Sequence, residues 1–135
     1  MGRVLAVDPG TVRVGLAVSD PLRITAQPLD VIPASEAVDR ISRVCRELDV
    51  EEIVIGLPTT ERGEEGESAR LARTLGAELH VATGLPVTTI DEKYTSRMAE
   101  SVMIEGGARR RARRANVDKV AAAVILRSFL DRDRS

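Results

Sequence analysis

The chain has 135 residues, 43% of them hydrophobic, and its 20 basic and 21 acidic side chains nearly cancel. This size and balance predict one domain with a substantial core, and they exclude a polycation that would coat nucleic acid or membrane over its whole surface. With one tyrosine, one phenylalanine and no tryptophan, the chain is poor in the aromatic rings on which single-stranded bases stack. No apolar run reaches the length of a membrane span and no leader pattern opens the sequence, so we expect a cytoplasmic protein.

The first predicted elements lie between Val4 and Asp20. An apolar run ends in Asp8, Pro9 and Gly10 break the chain, and a second apolar run then follows with strict alternation. This pattern predicts a buried strand, a tight connection and an antiparallel partner strand. Because a proline restricts the preceding residue to extended geometry, the carboxylate of Asp8 is expected at the end of the first strand.

The next elements are a strand, a helix and a second buried strand. The third strand is predicted over Ile24–Ile32, and Pro28 in its middle places it toward an edge of the sheet. Ser35 is predicted to cap a helix that ends near Asp49. The apolar segment Glu52–Leu57 that follows is typical of a strand covered on both faces. Three strands in hairpin order followed by a helix and a strand predict a mixed sheet.

The second half of the chain is predicted to hold a loop, a strand and three helices. In chain order these are a polar loop over 58–66, a helix from about Glu67 to Ala82, a strand over Val87–Glu92, a helix capped by Thr95 or Ser96, and a helix from Val117 to about Leu130 capped by Asn116. In the first of these helices, Leu71, Leu75 and Leu79 are expected to face the core. The alternation of strands and helices predicts an α/β fold.

Two residues with reactive side chains are predicted to have no role in chemistry. Cys45 is the only cysteine, so an internal disulfide is excluded, and its place in a helical pattern predicts a buried structural thiol. His80 is the only histidine and belongs to no recognisable motif, so it is expected on the surface.

Acidic residues stand at the ends of three apolar elements: Asp8, the pair Asp91 and Glu92, and Asp118. Each has an ordinary structural explanation, since Asp8 could accept hydrogen bonds in its turn, the pair could be a polar strand end, and Asp118 could interact with a helix dipole. Ligand sites in open α/β sheets form beyond the carboxyl ends of the strands, where Asp8 and Glu92 would meet. Carboxylates that converge from separate elements repel one another unless a cation lies among them, and Mg²⁺ or Mn²⁺ prefers such oxygen ligands.

A dense basic run follows the predicted third helix. It consists of Arg109, Arg110, Arg111, Arg113 and Arg114. A solvated loop is one interpretation of this run, and a surface that binds the phosphate backbone by charge is the other. Beside a site of metal-binding carboxylates, the second interpretation is favoured. The combination predicts phosphodiester cleavage by a metal-activated water.

Four segments together resemble the YqgF/RuvX family, in the correct order and over essentially the whole chain. They are DPGTVRVGLAVSD, VIGLPTTERG, DEKYTSRMAE and VDKVAAAVIL. The resemblance implies an RNase H-like fold, with a mixed five-stranded sheet whose first three strands are antiparallel, flanked by helices. It also implies a metal-dependent endonuclease, because members are described as Holliday junction resolvases and as the nuclease that matures the 5′ end of pre-16S rRNA.

The resemblance also implies roles for individual residues. Asp8 matches the aspartate of the first strand, Glu92 the acid of the fifth strand and Asp118 the aspartate of the last helix, which together would be the catalytic residues and the ligands of Mg²⁺ or Mn²⁺. The sequence leaves Asp91 open as the alternative to Glu92, because neighbours on a strand face opposite sides. Lys93 stands where the family usually has arginine, which weakens any phosphate contact there because lysine lacks the bidentate fork.

Two other functions remain open at this stage. The opening motif also resembles the phosphate-binding turn of the actin, Hsp70 and sugar kinase superfamily, which would make this an ATP-phosphate-binding domain. A non-catalytic RNA- or ribosome-associated module is the other alternative. The expected partner is nucleic acid, either precursor rRNA or branched DNA, and the expected state is a monomer or a homodimer.

Overall fold

The computed structural model describes residues 2–57, 66–91 and 110–134, and within its last helix it describes the side chains of residues 120–132. Several predicted features lie outside these ranges. They are the loop over 58–65, Glu92, Lys93, Arg109 and the helix predicted after Thr95 or Ser96. Among the described helices, none combines the length and the apolar character that crossing a bilayer requires.

Five strands form one mixed sheet: β1 (Arg3–Asp8), β2 (Arg13–Ser19), β3 (Ala26–Pro33), β4 (Val50–Leu57) and β5 (Val87–Asp91). Their order is β3-β2-β1-β4-β5. Strands β1, β2 and β3 pair antiparallel, whereas β1, β4 and β5 are parallel neighbours. The predicted mixed sheet is therefore confirmed, and so is the edge position of β3, where the missing N–H of Pro28 can be tolerated.

Two helices cover one face of the sheet. They are α1 (Ala37–Glu47), which follows a 3₁₀ turn over Ala34–Glu36, and α2 (Glu67–Thr83). The prediction that Ser35 caps α1 is wrong, because Ser35 lies within the 3₁₀ turn and α1 begins after Glu36 without a side-chain cap. The turn is tied back to the β1–β2 connection, since the backbone N–H of Ala34 donates to the carbonyl oxygen of Val12 at 2.9 Å.

The other face is covered by α3 (Arg110–Arg134). This helix starts seven residues before Val117, where the sequence predicted its beginning, so Asn116 is an interior residue and not a cap. The prediction relied on apolar periodicity, which the segment RRARRA does not have. Arginine and alanine are strong helix formers without such periodicity. As a result, Arg110, Arg111, Arg113 and Arg114 belong to the first turns of a helix and not to a loop.

The strands alternate between two apolar cores. Leu5 and Val7 of β1 pack in the core beneath α1 and α2, whereas Val4 and Ala6 pack in the core beneath α3. All four side chains are fully buried, as expected of a central strand with helices on both sides. This alternation assigns every strand residue to one of the two faces.

Helix α2 packs on the sheet through three small residues and a leucine, Leu79. Its buried positions include Ala69, Ala72 and Gly76, whereas Leu71, which was predicted to face the core, is 52% exposed. A Cβ at Gly76 would lie 3.3 Å from Cδ1 of Ile55. The prediction is wrong for Leu71 but confirmed for Leu79, which is fully buried in the core, and Leu75 packs against that core while partly exposed. The helix therefore meets the sheet along a stripe that combines small residues with Leu75 and Leu79.

The cysteine and the histidine occupy the places that were predicted. Cys45 is 5% exposed within the core under α1, and burial raises the pKa of its thiol to about 11, so it stays protonated near neutral pH. His80 is exposed, and its Nδ1 lies 2.8 Å from the carbonyl oxygen of Leu85. Because a carbonyl can only accept, this ring nitrogen is the donor.

Candidate functional site

Asp8 ends the central strand of the sheet and is partly buried. The chain turns immediately after it through Pro9 and Gly10. A Cβ at Gly10 would overlap the carbonyl oxygen of Arg13, so the turn closes only with glycine at this position. The sequence therefore builds a rigid, apolar strand that delivers one carboxylate to the carboxyl edge of the sheet.

The carboxylate of Asp8 belongs to the α3 face of the sheet. Alternate residues of a strand point to the same side, and the two alternate residues before Asp8, Val4 and Ala6, pack against α3. Leu5 and Val7 point the other way, toward α1 and α2. Any group that acts together with Asp8 must therefore reach the α3 side of the sheet.

Glycines lie on both sides of Asp8. In β2, Gly15 is its direct cross-strand partner. In β4, Gly56 follows Ile55, which pairs with Val7, and so Gly56 lies alongside Asp8. Neither neighbouring strand places a side chain beside the carboxylate on this face. The result is a cradle beside Asp8 that holds no side chain from either neighbouring strand.

The packing of β5 shows on which face of the sheet Asp91 lies, and so bears on the choice between Asp91 and Glu92. Ile90 packs in the core beneath α3, whereas Asp91 pairs with Leu57, a residue of the opposite core. Asp91 therefore lies on the α1 and α2 face, away from Asp8. Glu92 is outside the described residues, so its role as a ligand stays a prediction.

Helix α3 runs so that its N-terminal half is at the level of Asp8. Near the other end of the sheet, Nη2 of Arg127 donates to the carbonyl oxygen of Ile24 at 3.1 Å. Ile24 follows β2 at the edge where β1 begins, since the backbone N–H of Val4 donates to Oγ of Ser19 at 2.8 Å. Position 118 is nine residues before Arg127, about 13.5 Å along a helix. Val4 to Asp8 spans about 13 Å of strand. The two lengths match, so a helix that runs from Arg127 back along β1 brings position 118 to the level of Asp8.

Helical periodicity predicts that position 118 shares the stripe of α3 that contacts the sheet. It precedes Ala122 by four residues and Ile125 by seven, and both are fully buried against the sheet. Residues three, four and seven apart share one helical face. The helix thus brings position 118 toward the edge where Asp8 stands, although the side chain of Asp118 itself is not described.

The predicted metal ligands come from three separate elements, β1, the end of β5 and α3. Among the described side chains, those of residues 2–57, 66–91 and 120–132, no three His, Cys, Asp or Glu come together as metal ligands. Of the three predicted ligands, only Asp8 has a described side chain. The structural feature that supports a cation site is therefore the carboxylate of Asp8 between two glycines.

The other aspartate of the opening motif has a structural role. Oδ1 of Asp20 accepts hydrogen bonds from the backbone N–H groups of Ile24 at 2.7 Å and Thr25 at 2.8 Å. The bond from Thr25 is the main cause of a lowered pKa for Asp20. This carboxylate closes the β2–β3 connection, at the opposite edge of the sheet from Asp8.

A groove of about 600 Å³ lies behind the turn that follows Asp8, between α1 and α2. Gly10, Thr11, Asp39 and Glu78 are among the residues that line it. Two carboxylates disfavour the polyphosphate of a nucleotide because they repel it. This groove is therefore a poor site for a nucleotide polyphosphate.

The strand order, the helices on both faces and the acid at the end of the central strand define an RNase H-like protein. Thermus thermophilus RuvC in complex with a Holliday junction substrate has a similar fold, with a TM-score of 0.60 at 19% identity over 97% of this chain and 96% of that one. A second structure of T. thermophilus RuvC gives a TM-score of 0.56 at 21% identity over 98% and 96%. These likenesses establish the fold.

Sequence comparison establishes the family. A protein of Lactococcus lactis subsp. cremoris (strain MG1363) is 42% identical over 134 residues, which cover 96% of this chain and 94% of its own. One of Dictyoglomus thermophilum is 43% identical over 132 residues, covering 96% and 95%. Both carry the name "Putative pre-16S rRNA nuclease". The family model described as "RuvX: Holliday junction resolvase" matches residues 2–132, and the chain belongs to the RuvX family.

Proposed function

We propose that this chain, as a single RNase H-like domain over residues 1–135, is a metal-dependent endonuclease that hydrolyses phosphodiester bonds in nucleic acid. The observation that carries the proposal is the carboxylate of Asp8 at the end of the central strand, with Gly15 and Gly56 beside it. The names of its relatives favour the processing of the 5′ end of pre-16S rRNA. The expected cytoplasmic location stays a prediction.

Asp8, Glu92 and Asp118 are proposed to hold Mg²⁺ or Mn²⁺. Three points support this set: the α3-face position of Asp8, the opposite-face position of Asp91, and the place of residue 118 on the sheet-facing stripe of α3. When bound, such an ion lowers the pKa of a water and stabilises charge on the leaving oxygen. Asp8 supplies a fixed anionic ligand from a rigid strand, and the two glycines keep the space beside it open for the substrate.

The arginine run is proposed to bind the phosphate backbone. Arg110, Arg111, Arg113 and Arg114 lie in the first turns of the helix that leads to position 118, and Arg109 and Lys93 are proposed to add to the same surface. Positive charge at this end of α3 would bring the phosphate backbone of the nucleic acid to the carboxyl edge of the sheet. Such contacts depend on salt and select little among sequences.

Replacing the five arginines with glutamine is expected to weaken RNA binding and to flatten its salt dependence. Each lost phosphate contact reduces the magnitude of the slope of log K against log salt by about 0.7 on a single strand, so the loss of five contacts is expected to reduce it by about 3.5. Fluorescence anisotropy with a labelled RNA at several salt concentrations measures the slope. The control replaces Arg40, Arg43 and Arg46 of α1, which lie on the other side of the sheet, and an equal loss there would contradict the assignment.

Cleavage assays with two polymers test the function itself. The purified protein is incubated with Mn²⁺ and, in parallel, with a 5′-extended 16S precursor RNA and a four-way DNA junction. We expect cleavage of the precursor near its mature 5′ end and much slower cleavage of the junction. Symmetric junction cleavage with an intact precursor would identify a resolvase, which the description of the family model supports as the second candidate.

Two further outcomes of this assay separate the remaining alternatives. A resolvase needs two active sites related by a two-fold axis, so a homodimer in light scattering would accompany junction cleavage, whereas a monomer fits the RNA substrate. Binding of the precursor without any cleavage would indicate the non-catalytic RNA module. Tight ATP binding, which the nuclease does not require, would favour the phosphate-binding domain.

A further inference from the structure

Arg13 stands on the same face and at the same edge of the sheet as Asp8. It is the exposed first residue of β2. Val14 and Leu16 of this strand pack in the core beneath α1 and α2, and Ala17 packs beneath α3. Alternation therefore places Arg13, together with Gly15, on the α3 face.

The strand register gives the distance between the two charged residues. Asp8 pairs directly with Gly15, and Arg13 lies two residues beyond Gly15, so Arg13 and Asp8 are diagonal neighbours. Diagonal neighbours are about 7 to 8 Å apart, within reach of a long side chain. Because Gly15 has no side chain, nothing from β2 stands between the guanidinium and the carboxylate on this face.

The backbone of Arg13 is held from two sides. Its carbonyl oxygen packs against Gly10, where even a Cβ would collide with it. The preceding carbonyl, of Val12, accepts the backbone N–H of Ala34 at 2.9 Å. The side chain therefore leaves from a fixed point at the mouth of the cradle beside Asp8, which is the requirement for a group that orients a substrate.

We propose that Arg13 binds a backbone phosphate of the nucleic acid next to the bond that is cut, and so sets the position of that bond at Asp8. This inference rests on the proposed nuclease function and adds a residue to it. A guanidinium offers five donors in a planar fork that matches two phosphate oxygens. The competing explanation is that Arg13 serves only as a counter-charge for Asp8, since both residues have partners in the structure.

The test measures RNA binding in a protein that lacks the Asp8 charge. Asp8→Asn and the double variant Asp8→Asn/Arg13→Gln are titrated with a labelled 20-nucleotide RNA in the presence of Mn²⁺ at several salt concentrations. We expect Arg13→Gln to raise Kd about tenfold and to lower the salt slope by about 0.7, the value of one phosphate contact. Arg13→Lys in the same background should restore the slope and only part of the affinity, because lysine keeps the charge without the fork.

Several outcomes would overturn the inference. Equal Kd and equal slope for the single and double variants would mean that Arg13 is only a partner of Asp8. A similar loss with Arg43→Gln, on the exposed side of α1, would mean a non-specific charge effect, and absence of RNA binding by Asp8→Asn would also contradict it. If the wild-type protein binds RNA and never cuts it, the nuclease proposal fails while the role of Arg13 in phosphate binding stands. Thermal melting of each variant verifies that the fold is intact.

Discussion

Asp8→Asn is expected to reduce Mn²⁺-dependent cleavage on the order of a thousandfold or more while the protein stays folded. The substitution keeps the size of the side chain and removes the negative charge that a metal ligand needs. Asp8 ends a strand whose preceding four residues are fully buried, so the backbone there is held by the core and not by this carboxylate. Initial rates with the precursor RNA give the activity, and circular dichroism gives the fold.

Metal binding offers a second measurement on the same variant. A ligand that binds only the folded state raises Tm, so Mn²⁺ should raise Tm for the wild-type protein and have little effect on Asp8→Asn. The matched control is Asp30→Asn, an exposed residue of β3 that pairs with Leu16 on the opposite face of the sheet. Full cleavage by Asp8→Asn, or an equal loss in Asp30→Asn, would remove Asp8 from the proposed site.

Glu92→Gln is expected to lower cleavage by a factor on the order of 100 to 1000, whereas Asp91→Asn should stay within a few-fold of the wild-type rate. Both changes remove one charge from adjacent residues, which makes the pair its own control. The difference is expected because Asp91 pairs with Leu57 on the α1 and α2 face, and Asp8 faces α3. The rates of the two variants are compared at saturating Mn²⁺ with equal RNA.

The contrary pattern would be equally clear. If Asp91→Asn abolished cleavage and Glu92→Gln did not, the acid at the end of β5 would have to act from the opposite face of the sheet. The assignment of Asp8 to the same site would then be wrong, because one metal ion cannot bridge both faces of a packed sheet.

The antiparallel pairing of β1, β2 and β3 was accessible from the sequence because its physical causes are local. Short polar connections join β1, β2 and β3 as antiparallel neighbours, and the fully apolar segments of β1 and β4 require cover on both faces. The helix boundaries were less accessible. Helix α3 begins at Arg110 through helix propensity without an apolar pattern, and Ser35 lies in a turn whose Ala34 N–H donates to the carbonyl oxygen of the distant Val12.

The sequence could indicate residues of the candidate site, but it could not indicate on which face of the sheet each of them lies. The sequence could indicate Asp8, because a proline follows it at the end of an apolar run, but it could not choose between Asp91 and Glu92. That choice depends on which face each residue occupies, and the face depends on the packing of β5 against two separate cores. Arg13 was missed because a single arginine at a turn has no signal of its own. Because alternate residues of a strand share one face, Arg13 belongs with Gly15 and Ala17 on the face of Asp8.

Helix α3 joins the arginines, position 118 and the buried residues from Ala121 to Leu130 in one continuous element. The helical repeat alone therefore sets how far the proposed phosphate contacts lie from the proposed metal ligand, and in which direction each points. Deleting one residue between 118 and 122 would turn position 118 by about 100° around the axis, while the buried half of the helix kept its place. A change in chain length there would reorient the site without unfolding the core.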